Sequence, residues 1–223
     1  MRESREQVSG AREARASAGN DRPAFLSIYR HGPTRANRAH KYLGRLDEPL
    51  DWVGEEAVRT EGANPRVACV YVSPLSRCRQ TAAILFPNAE QVVVDALQEM
   101  DFGEFDGFSY EELSGDARYQ AWVDAGCKTA CPGGEDQARF AARVSGAIGK
   151  VVDDARERGL AEAVIVAHAG TAMAAFWSLC ESERDYFDWH IQAGKGLRAR
   201  IVCAADGSVR LVDPEGVVPD QSL

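Results

Sequence analysis

Two short apolar runs, each followed by a histidine, most constrain the fold of this chain. Residues 25–29 read Phe-Leu-Ser-Ile-Tyr and lead into Arg30-His31-Gly32. Residues 163–167 are all apolar and lead into His168. Runs of this length and composition are typical of buried strands in a parallel sheet. Because ligands of open α/β sheets bind beyond the carboxyl ends of the strands, we expect both histidines at one binding edge.

Segments with helical patterns separate further apolar runs along the chain. Apolar residues from Phe140 to Ala155 recur at helical spacing, and Gly159 is typical of the residue that ends a helix. Ser73 followed by Pro74 predicts the cap and first residue of another helix. Further helices are predicted over residues 51–63, 74–86 and 172–180, with one or two more over 110–126. Further strands are predicted over residues 67–72, 91–94, 198–204 and 208–212.

The order of these elements predicts an α/β fold. Alternating strands and helices build a three-layer α/β/α sandwich with a mostly parallel central sheet. Asp206-Gly207, between the last two strands, is typical of a hairpin turn. Residues 1–24 are rich in Arg, Glu, Ser, Gly and Ala and predict a flexible N-terminal tail. We therefore expect one domain over residues 25–213 and a short C-terminal tail over 214–223.

Composition is that of an ordinary soluble globular protein, with 45% hydrophobic and 27% charged residues. No segment approaches the roughly 18 apolar residues of a membrane span, and the N-terminus lacks the apolar core of a secretory signal. The cysteines are scattered, which favours a reduced, cytoplasmic protein. No second pair of ligands accompanies Cys127 and Cys131, so we expect neither a metal nor a cofactor. The net charge of −8 disfavours nucleic acid and anionic membranes as partners, so local arginines must attract any anionic ligand.

A set of motifs appears in the order found in one known family. A lone Arg-His-Gly arises often by chance, but the ordered set is specific. Through it the chain resembles the histidine phosphatase superfamily, which includes the phosphoglycerate mutases, over roughly residues 25–200. The motifs are RHGPTRAN at 30–37, YLGRLDEPL at 42–50, SPLSRCRQTA at 73–82, EMDFG at 99–103, PGGE at 132–135 and VAHAG at 166–170.

The resemblance implies roles for two histidines and two arginines. His31 would attack phosphorus as a neutral imidazole and become a phosphohistidine. Arg30 and Arg77 would bind the phosphoryl oxygens, and their charge would lower the pKa of the nucleophile. His168 would hydrogen-bond the phosphoryl group and stabilise its charge in the transition state. Taken alone, a histidine at a strand end is as well explained by packing or capping.

A carboxylic acid is also needed to protonate the leaving oxygen. Glu99 matches the Glu-x-x-x-Gly pattern of the family, here ending at Gly103. Asp101 and Glu104 lie in the same loop and stay open as alternatives, because the residues alone do not rank them.

Four further residues are weaker candidates for the site. Thr34 and Asn37 follow the nucleophile and would bind phosphate, although both are also common in turns and helix caps. Gly44 and Ala169 are candidate substrate contacts. Ala169 stands where the family usually has glycine, and alanine would be strained there if the backbone φ were positive.

The segment from Glu99 to Leu113, and the short connection from Arg77 to Glu99, resemble the α-ribazole phosphatase branch of the family. This resemblance implies a phosphomonoesterase that acts on a small phosphorylated metabolite, with α-ribazole 5′-phosphate of cobalamin synthesis as the leading candidate. A mutase must protect its phosphohistidine from water with a longer lid, for which no insertion is evident. The alternatives are a phosphoglycerate mutase, a broad-range sugar-phosphate phosphatase and a catalytically dead phospho-ligand-binding module. We expect the protein to be a monomer or a homodimer.

Overall fold

The computed structural model describes residues 23–204 and 207–217. The predicted tails over 1–22 and 218–223 and the Asp206 position of the hairpin turn lie outside these ranges. The strands run over Phe25–Arg30 (β1), Cys69–Val72 (β2), Glu90–Val93 (β3), Glu162–Ala167 (β4), Gly196–Cys203 (β5) and Val209–Val217 (β6). The helices run over Arg35–Arg38 (α1), Trp52–Arg59 (α2), Ser76–Leu85 (α3), Tyr110–Leu113 (α4), Ala117–Asp124 (α5), Gln137–Glu157 (α6) and Ala169–Leu179 (α7).

The strands form one mixed, mostly parallel sheet in the order β3-β2-β4-β1-β5-β6. β1 to β4 are mutually parallel, whereas β5 pairs antiparallel with β1 and with β6. The predicted α/β class and the antiparallel pairing of the last two strands are therefore confirmed. β6 continues to Val217, so the sheet extends past residue 213, where a tail was expected.

Both faces of the sheet are buried, which explains why the central strands read as continuous apolar runs. Leu26 and Ile28 of β1 point into one core, where α6 and α7 pack. Tyr29 points into the opposite core, together with Val58 of α2 and Cys78 of α3. The apolar stripe predicted for α6 is thus the stripe that covers the sheet, and Gly159 follows the helix in a positive-φ conformation.

Helices leave β1 and β4 toward opposite faces of the sheet. The chain after β1 enters the core of α2 and α3, while the chain after β4 enters that of α7. A crevice therefore opens at the carboxyl ends of these neighbouring strands, the usual ligand position in such sheets. In register, Arg30 pairs with Ala167, so His31 and His168 leave the sheet side by side.

Two predicted helix starts are wrong, since α7 begins at Ala169 rather than at residue 172. α3 begins at Ser76 rather than at Pro74, and Leu75, which precedes it, makes no side-chain cap. The Ser73 hydroxyl is instead 2.8 Å from Nε2 of His168. The buried imidazole of His168 takes the place of the helix N-terminus as the hydrogen-bond partner of this hydroxyl. Ser73 therefore lines the crevice and does not cap the helix.

A smaller cluster covers one side of this crevice. Tyr42 and Phe102 pack at 5.1 Å between ring centroids, and Tyr42 exchanges a hydrogen bond of 2.9 Å with Tyr119. The cluster ties the loop after α1 to the loop that carries Glu99. Within the two described ranges, no helix combines the length and the apolar character required to cross a membrane.

Candidate active site

His31 is fixed in one tautomer by its own backbone. The ring is buried, with 4% of its surface exposed, and Nδ1 is 2.6 Å from the carbonyl oxygen of Gly32. Since a carbonyl can only accept, Nδ1 carries the proton and Nε2 keeps its lone pair. Desolvation, then Arg77 and Arg30, hold the pKa of His31 well below its ordinary value of 6.5. The ring is therefore a neutral base with its free nitrogen opposite the backbone contact.

His168 lies beside it at the start of α7. The two imidazole centroids are 5.2 Å apart, with their planes nearly perpendicular. Burial, followed by the charge of Arg77, lowers the pKa of His168 well below 6.5 as well. Ser73 holds Nε2, and the Cys78 sulfur lies 3.5 Å from the same nitrogen. Two neutral imidazoles thus face one crevice from adjacent strands.

Arg77 is fully buried in the first turn of α3. Its terminal nitrogens donate to the carbonyls of Leu46 and Gly44 at 2.8 and 2.9 Å. Its Nε is buried and has no hydrogen-bond partner among the described residues. Leaving such a donor unpaired costs about 1–3 kcal/mol, which a bound acceptor would recover.

Arg30 is likewise anchored through a terminal nitrogen and unpaired at Nε. One terminal nitrogen donates to the carbonyl of Ile191 at 2.9 Å and lies 3.2 Å from Nε2 of His190. Its buried Nε likewise has no partner within the described part of the chain. Two guanidinium groups are therefore anchored on one side and offer unused donors on the other, an arrangement suited to an oxyanion.

Glu99 is the carboxyl group that the fold brings to the histidines. It is buried, with 8% exposed, and accepts hydrogen bonds of 2.9 Å from the backbone N–H groups of Met100 and Gly170. Desolvation raises the pKa of Glu99 above 4.5, although those bonds and Arg77 and Arg30 oppose the rise. A raised pKa favours the protonated acid, the form that can donate to a leaving group.

The two alternative acids have other positions. Asp101 turns back to accept from the N–H of Gly103 at 2.9 Å. Glu104 is exposed and forms an ion pair with Arg118 at 2.7 Å. Neither interaction involves the histidines, so burial and neighbours rank Glu99 first where the sequence alone did not.

Thr34 and Asn37 form a reciprocal cap on α1. The Thr34 hydroxyl accepts from the backbone N–H of Asn37 at 3.2 Å, and the Asn37 side chain accepts from that of Thr34 at 3.1 Å. This is the capping chemistry that the sequence left open beside phosphate binding. The hydroxyl proton of Thr34 and the amide N–H groups of Asn37 are not used in this pair.

The two small candidate residues have different environments. A Cβ at Gly44 would overlap the carbonyl oxygen of Met100, so glycine here allows two loops to approach each other. Ala169 is the first residue of α7 and is not among the described residues with positive φ. The strain considered for alanine at this position is therefore absent.

Several residues at the crevice were not predicted from the sequence. Arg45, next to the selected Gly44, has a buried Nε without a partner among the described residues. Arg143 donates to the carbonyls of Ala96, Gln98 and Glu99 and so holds the acid loop. The motif containing Gly44 was the available signal for Arg45, whereas no local pattern marks Arg143. His190 also touches Arg30.

No cluster of three or more His, Cys, Asp or Glu side chains that could hold a metal occurs in the described ranges. The crevice combines a neutral nucleophilic nitrogen, unpaired cationic donors and a buried carboxyl group with a raised pKa. This set is suited to displacement at an anionic phosphorus centre.

Comparison with known proteins agrees with this geometry. The phosphoserine phosphatase 1 of Hydrogenobacter thermophilus is 26% identical over 199 residues, covering 80% of this chain and 92% of that protein. A broad-specificity phosphatase of Saccharomyces cerevisiae is 26% identical over 161 residues, covering 65% of each chain. The structure of the alpha-ribazole phosphatase from Shigella flexneri superposes with a TM-score of 0.69 at 22% identity, covering 84% of this chain and 95% of that one. The family model of the histidine phosphatase superfamily (branch 1) matches residues 26–210, and the chain belongs to that superfamily.

Proposed function

We propose that this chain hydrolyses small phosphomonoesters through a phosphohistidine formed on Nε2 of His31. The observation that carries the proposal is the bond from Nδ1 of His31 to the Gly32 carbonyl, which leaves Nε2 unprotonated among unpaired arginine donors. The family membership and the phosphatases among its relatives support hydrolysis of phosphoric monoesters.

In the first step, the Nε2 lone pair of His31 forms the nitrogen–phosphorus bond as the bond to the ester oxygen breaks. Glu99 gives its proton to that oxygen, so the leaving group departs as a neutral alcohol. The imidazole becomes cationic, and its Nδ1–H remains bonded to the Gly32 carbonyl. The backbone contact therefore orients the ring before attack and stabilises its charge afterwards.

In the second step, water attacks the same phosphorus. Glu99, now a carboxylate, takes a proton from that water, and the nitrogen–phosphorus bond breaks to release phosphate and neutral His31. Arg30 and Arg77 would bind the phosphoryl oxygens in both steps, with His168 as a further donor. Thr34 and Asn37 can add donors from the α1 cap. Loss of one such donor typically costs about 2.7–4 kcal/mol of transition-state stabilisation.

The mechanism can be tested by trapping the intermediate. The wild type is quenched during turnover of p-nitrophenyl phosphate that carries a radiolabelled phosphoryl group. We expect the protein to keep a label that is stable in base and is lost in acid, because phosphohistidine survives base. His31→Asn should abolish both label and turnover. His40→Asn is the matched control, because His40 is exposed and asparagine tolerates its positive φ.

The control should keep both label and rate. Turnover by His31→Asn at the wild-type rate, or label on another residue, would contradict the proposal. Binding of phosphate esters by the wild type with neither label nor turnover would support the binding-module alternative instead.

The leading substrate candidate from the sequence is α-ribazole 5′-phosphate, on the basis of the loop from Glu99 to Leu113. The similarity to the Shigella flexneri structure supports the fold that this candidate requires. A second candidate, a phosphorylated acid such as phosphoserine, is favoured by the named activity of the Hydrogenobacter thermophilus relative. Turnover of the two esters side by side separates them, and efficient isomerisation of 3-phosphoglycerate would favour a mutase over both.

A further inference from the structure

Arg45 is a cation at the crevice with no hydrogen-bonded partner. Its guanidinium makes no hydrogen bond with any described residue, and its Nε is buried. The nearby carboxylate is that of Glu135, with 4.0 Å between the charged atoms. The side chain is 33% exposed, so it can be reached from solvent while part of it is desolvated.

Glu135 makes no hydrogen bond with this guanidinium, because its oxygens are bonded to another arginine. Arg143 donates to both of its oxygens, from Nε at 3.0 Å and from a terminal nitrogen at 2.7 Å. Such a fork-to-fork pair uses the carboxylate in its preferred geometry. Arg45 therefore remains available for an anion that the protein itself does not supply.

The loop under Arg45 is held rigidly. The backbone N–H groups of Gly44, Arg45 and Leu46 all donate to the carboxylate of Asp106, at 2.8, 2.8 and 3.0 Å. Arg77 holds the carbonyls of the same loop from the other side. The backbone that presents Arg45 is thus ordered before any ligand arrives, which lowers the entropic cost of binding.

This loop lies on the side of the crevice from which Glu99 acts. Gly44 abuts the Met100 carbonyl, and Glu135 donates its backbone N–H to the Asp101 carbonyl at 2.9 Å. The alcohol that Glu99 protonates must leave on this side. Burial and then Arg77 lower the pKa of His168 most, and the charge of Arg45 adds to the same shift.

We propose that Arg45 binds a carboxylate on the leaving-group half of the substrate, so that the enzyme prefers phosphorylated hydroxy or amino acids. The inference rests on the proposed function and names the substrate class for the same site. Planar guanidinium and carboxylate groups pair bidentately, and a lysine cannot reproduce that geometry. α-Ribazole 5′-phosphate has no charged group besides its phosphate, so Arg45 favours the phosphorylated acid over it.

The test compares 3-phosphoglycerate with glycerol 3-phosphate, which differ only in a carboxylate against a hydroxymethyl group. The wild type should hydrolyse 3-phosphoglycerate with the higher kcat/KM. Arg45→Gln should lower kcat/KM for 3-phosphoglycerate roughly 10- to 100-fold and for glycerol 3-phosphate only about threefold. Arg45→Lys should fall between the wild type and Arg45→Gln on the acid substrate.

Arg59→Gln is the matched control, since Arg59 is exposed on α2 and pairs with Glu55. It should leave the ratio of the two substrates unchanged. Equal losses of Arg45→Gln on both esters would overturn the proposal by placing Arg45 on the reacting phosphoryl group. A wild-type preference for glycerol 3-phosphate, or for α-ribazole 5′-phosphate over 3-phosphoglycerate, would overturn it too.

p-Nitrophenyl phosphate separates failure of this inference from failure of the proposed function. It has no carboxylate, and its leaving group needs little protonation. If the wild type hydrolyses this ester and becomes labelled with its phosphoryl group, the phosphohistidine mechanism is supported, independently of the results with the Arg45 variants. Absence of both would remove the proposed function and the Arg45 inference with it. Turnover of this ester by Arg45→Gln also shows that the variant is folded.

Discussion

The arginines near the two ends of strand β1 differ in how fully their donors are paired. At the amino end, Arg198 donates to Glu162 at 3.2 and 3.4 Å, pairs with Glu215 at 3.5 Å and lies 3.7 Å above the ring of Phe25. At the carboxyl end, Arg77 is anchored by carbonyls but keeps an unpaired Nε. The first arginine is satisfied by the fold, and the second is incomplete without a ligand.

A cavity also lies at the amino end of the sheet, away from the two histidines. A pocket of about 740 Å³ lies at the amino end, beside Ser27, Tyr29 and Arg198. Its charged groups pair with one another: the Ser27 hydroxyl and Arg198 both bond to Glu162. The proposed site at the carboxyl end is marked instead by unused donors around two neutral histidines.

Lysine substitution at each end should give the largest contrast. Arg77→Lys keeps the charge but loses the planar donors that hold the carbonyls and face the phosphoryl group. We expect kcat/KM for p-nitrophenyl phosphate to fall roughly 100- to 1,000-fold. Arg198→Lys should keep kcat/KM within about twofold, because its site is remote from the chemistry. Similar losses in both variants would erase the distinction between the two ends.

Removal of the acid should have the next largest effect, and it should depend on the leaving group. Glu99→Gln should slow glycerol 3-phosphate by roughly 100-fold, and p-nitrophenyl phosphate much less. Glu104→Gln, on an exposed residue that pairs with Arg118, is the matched control and should leave both rates unchanged. Equal slowing of the two esters by Glu99→Gln would argue for Asp101 as the acid.

The pH profile sharpens the same test. Glu99 must be protonated to donate, so activity should be lost as pH rises through its raised pKa. His31 must be neutral to attack, and its lowered pKa moves the acidic loss of activity below pH 6.5. In Glu99→Gln the alkaline limb of kcat/KM should disappear while the acidic limb stays. An alkaline limb that persists would belong to another group.

We expect the smallest effect from removal of Arg198 at the amino end, which should change the stability of the fold. The Arg198 side chain is only 13% exposed, so Arg198→Met leaves Glu162 partly buried without its cation. We expect the free energy of unfolding to fall by about 2 kcal/mol. Arg158→Met, at a more exposed pair with Asp154 and Glu90, should cost much less. Urea denaturation monitored by circular dichroism measures both.

The sequence predicted that the two histidines would lie together at one edge of the sheet, because each follows a strand directly. His31 and His168 each come right after an apolar run, and parallel pairing of those runs places them side by side. The sheet class and the long helix α6 follow from periodicity in the same way. Such local patterns survive in the fold because burial of the two sheet faces enforces them.

Contacts between distant loops could not be predicted in this way. Ser73 looked like a helix cap, but an imidazole from another strand competes for its hydroxyl. The family pattern favoured Glu99 over Asp101 and Glu104, but the residues alone did not. The structure distinguishes Glu99 by burial and by its bond from the N–H of Gly170, 71 positions further along the chain. Arg45 was passed over because an unpaired donor becomes visible only when all possible partners are in place.

The support of the Arg45 loop by Asp106 has a consequence for how such an enzyme can change. The carboxylate holds backbone N–H groups and no side chain of that loop. Position 45 can therefore exchange its side chain without loss of the bonds that shape the loop, and the phosphoryl-transfer residues need not move. Selectivity for the leaving group and the chemistry of the phosphate are separately adjustable, so new substrates can be acquired by one substitution while the reaction is retained.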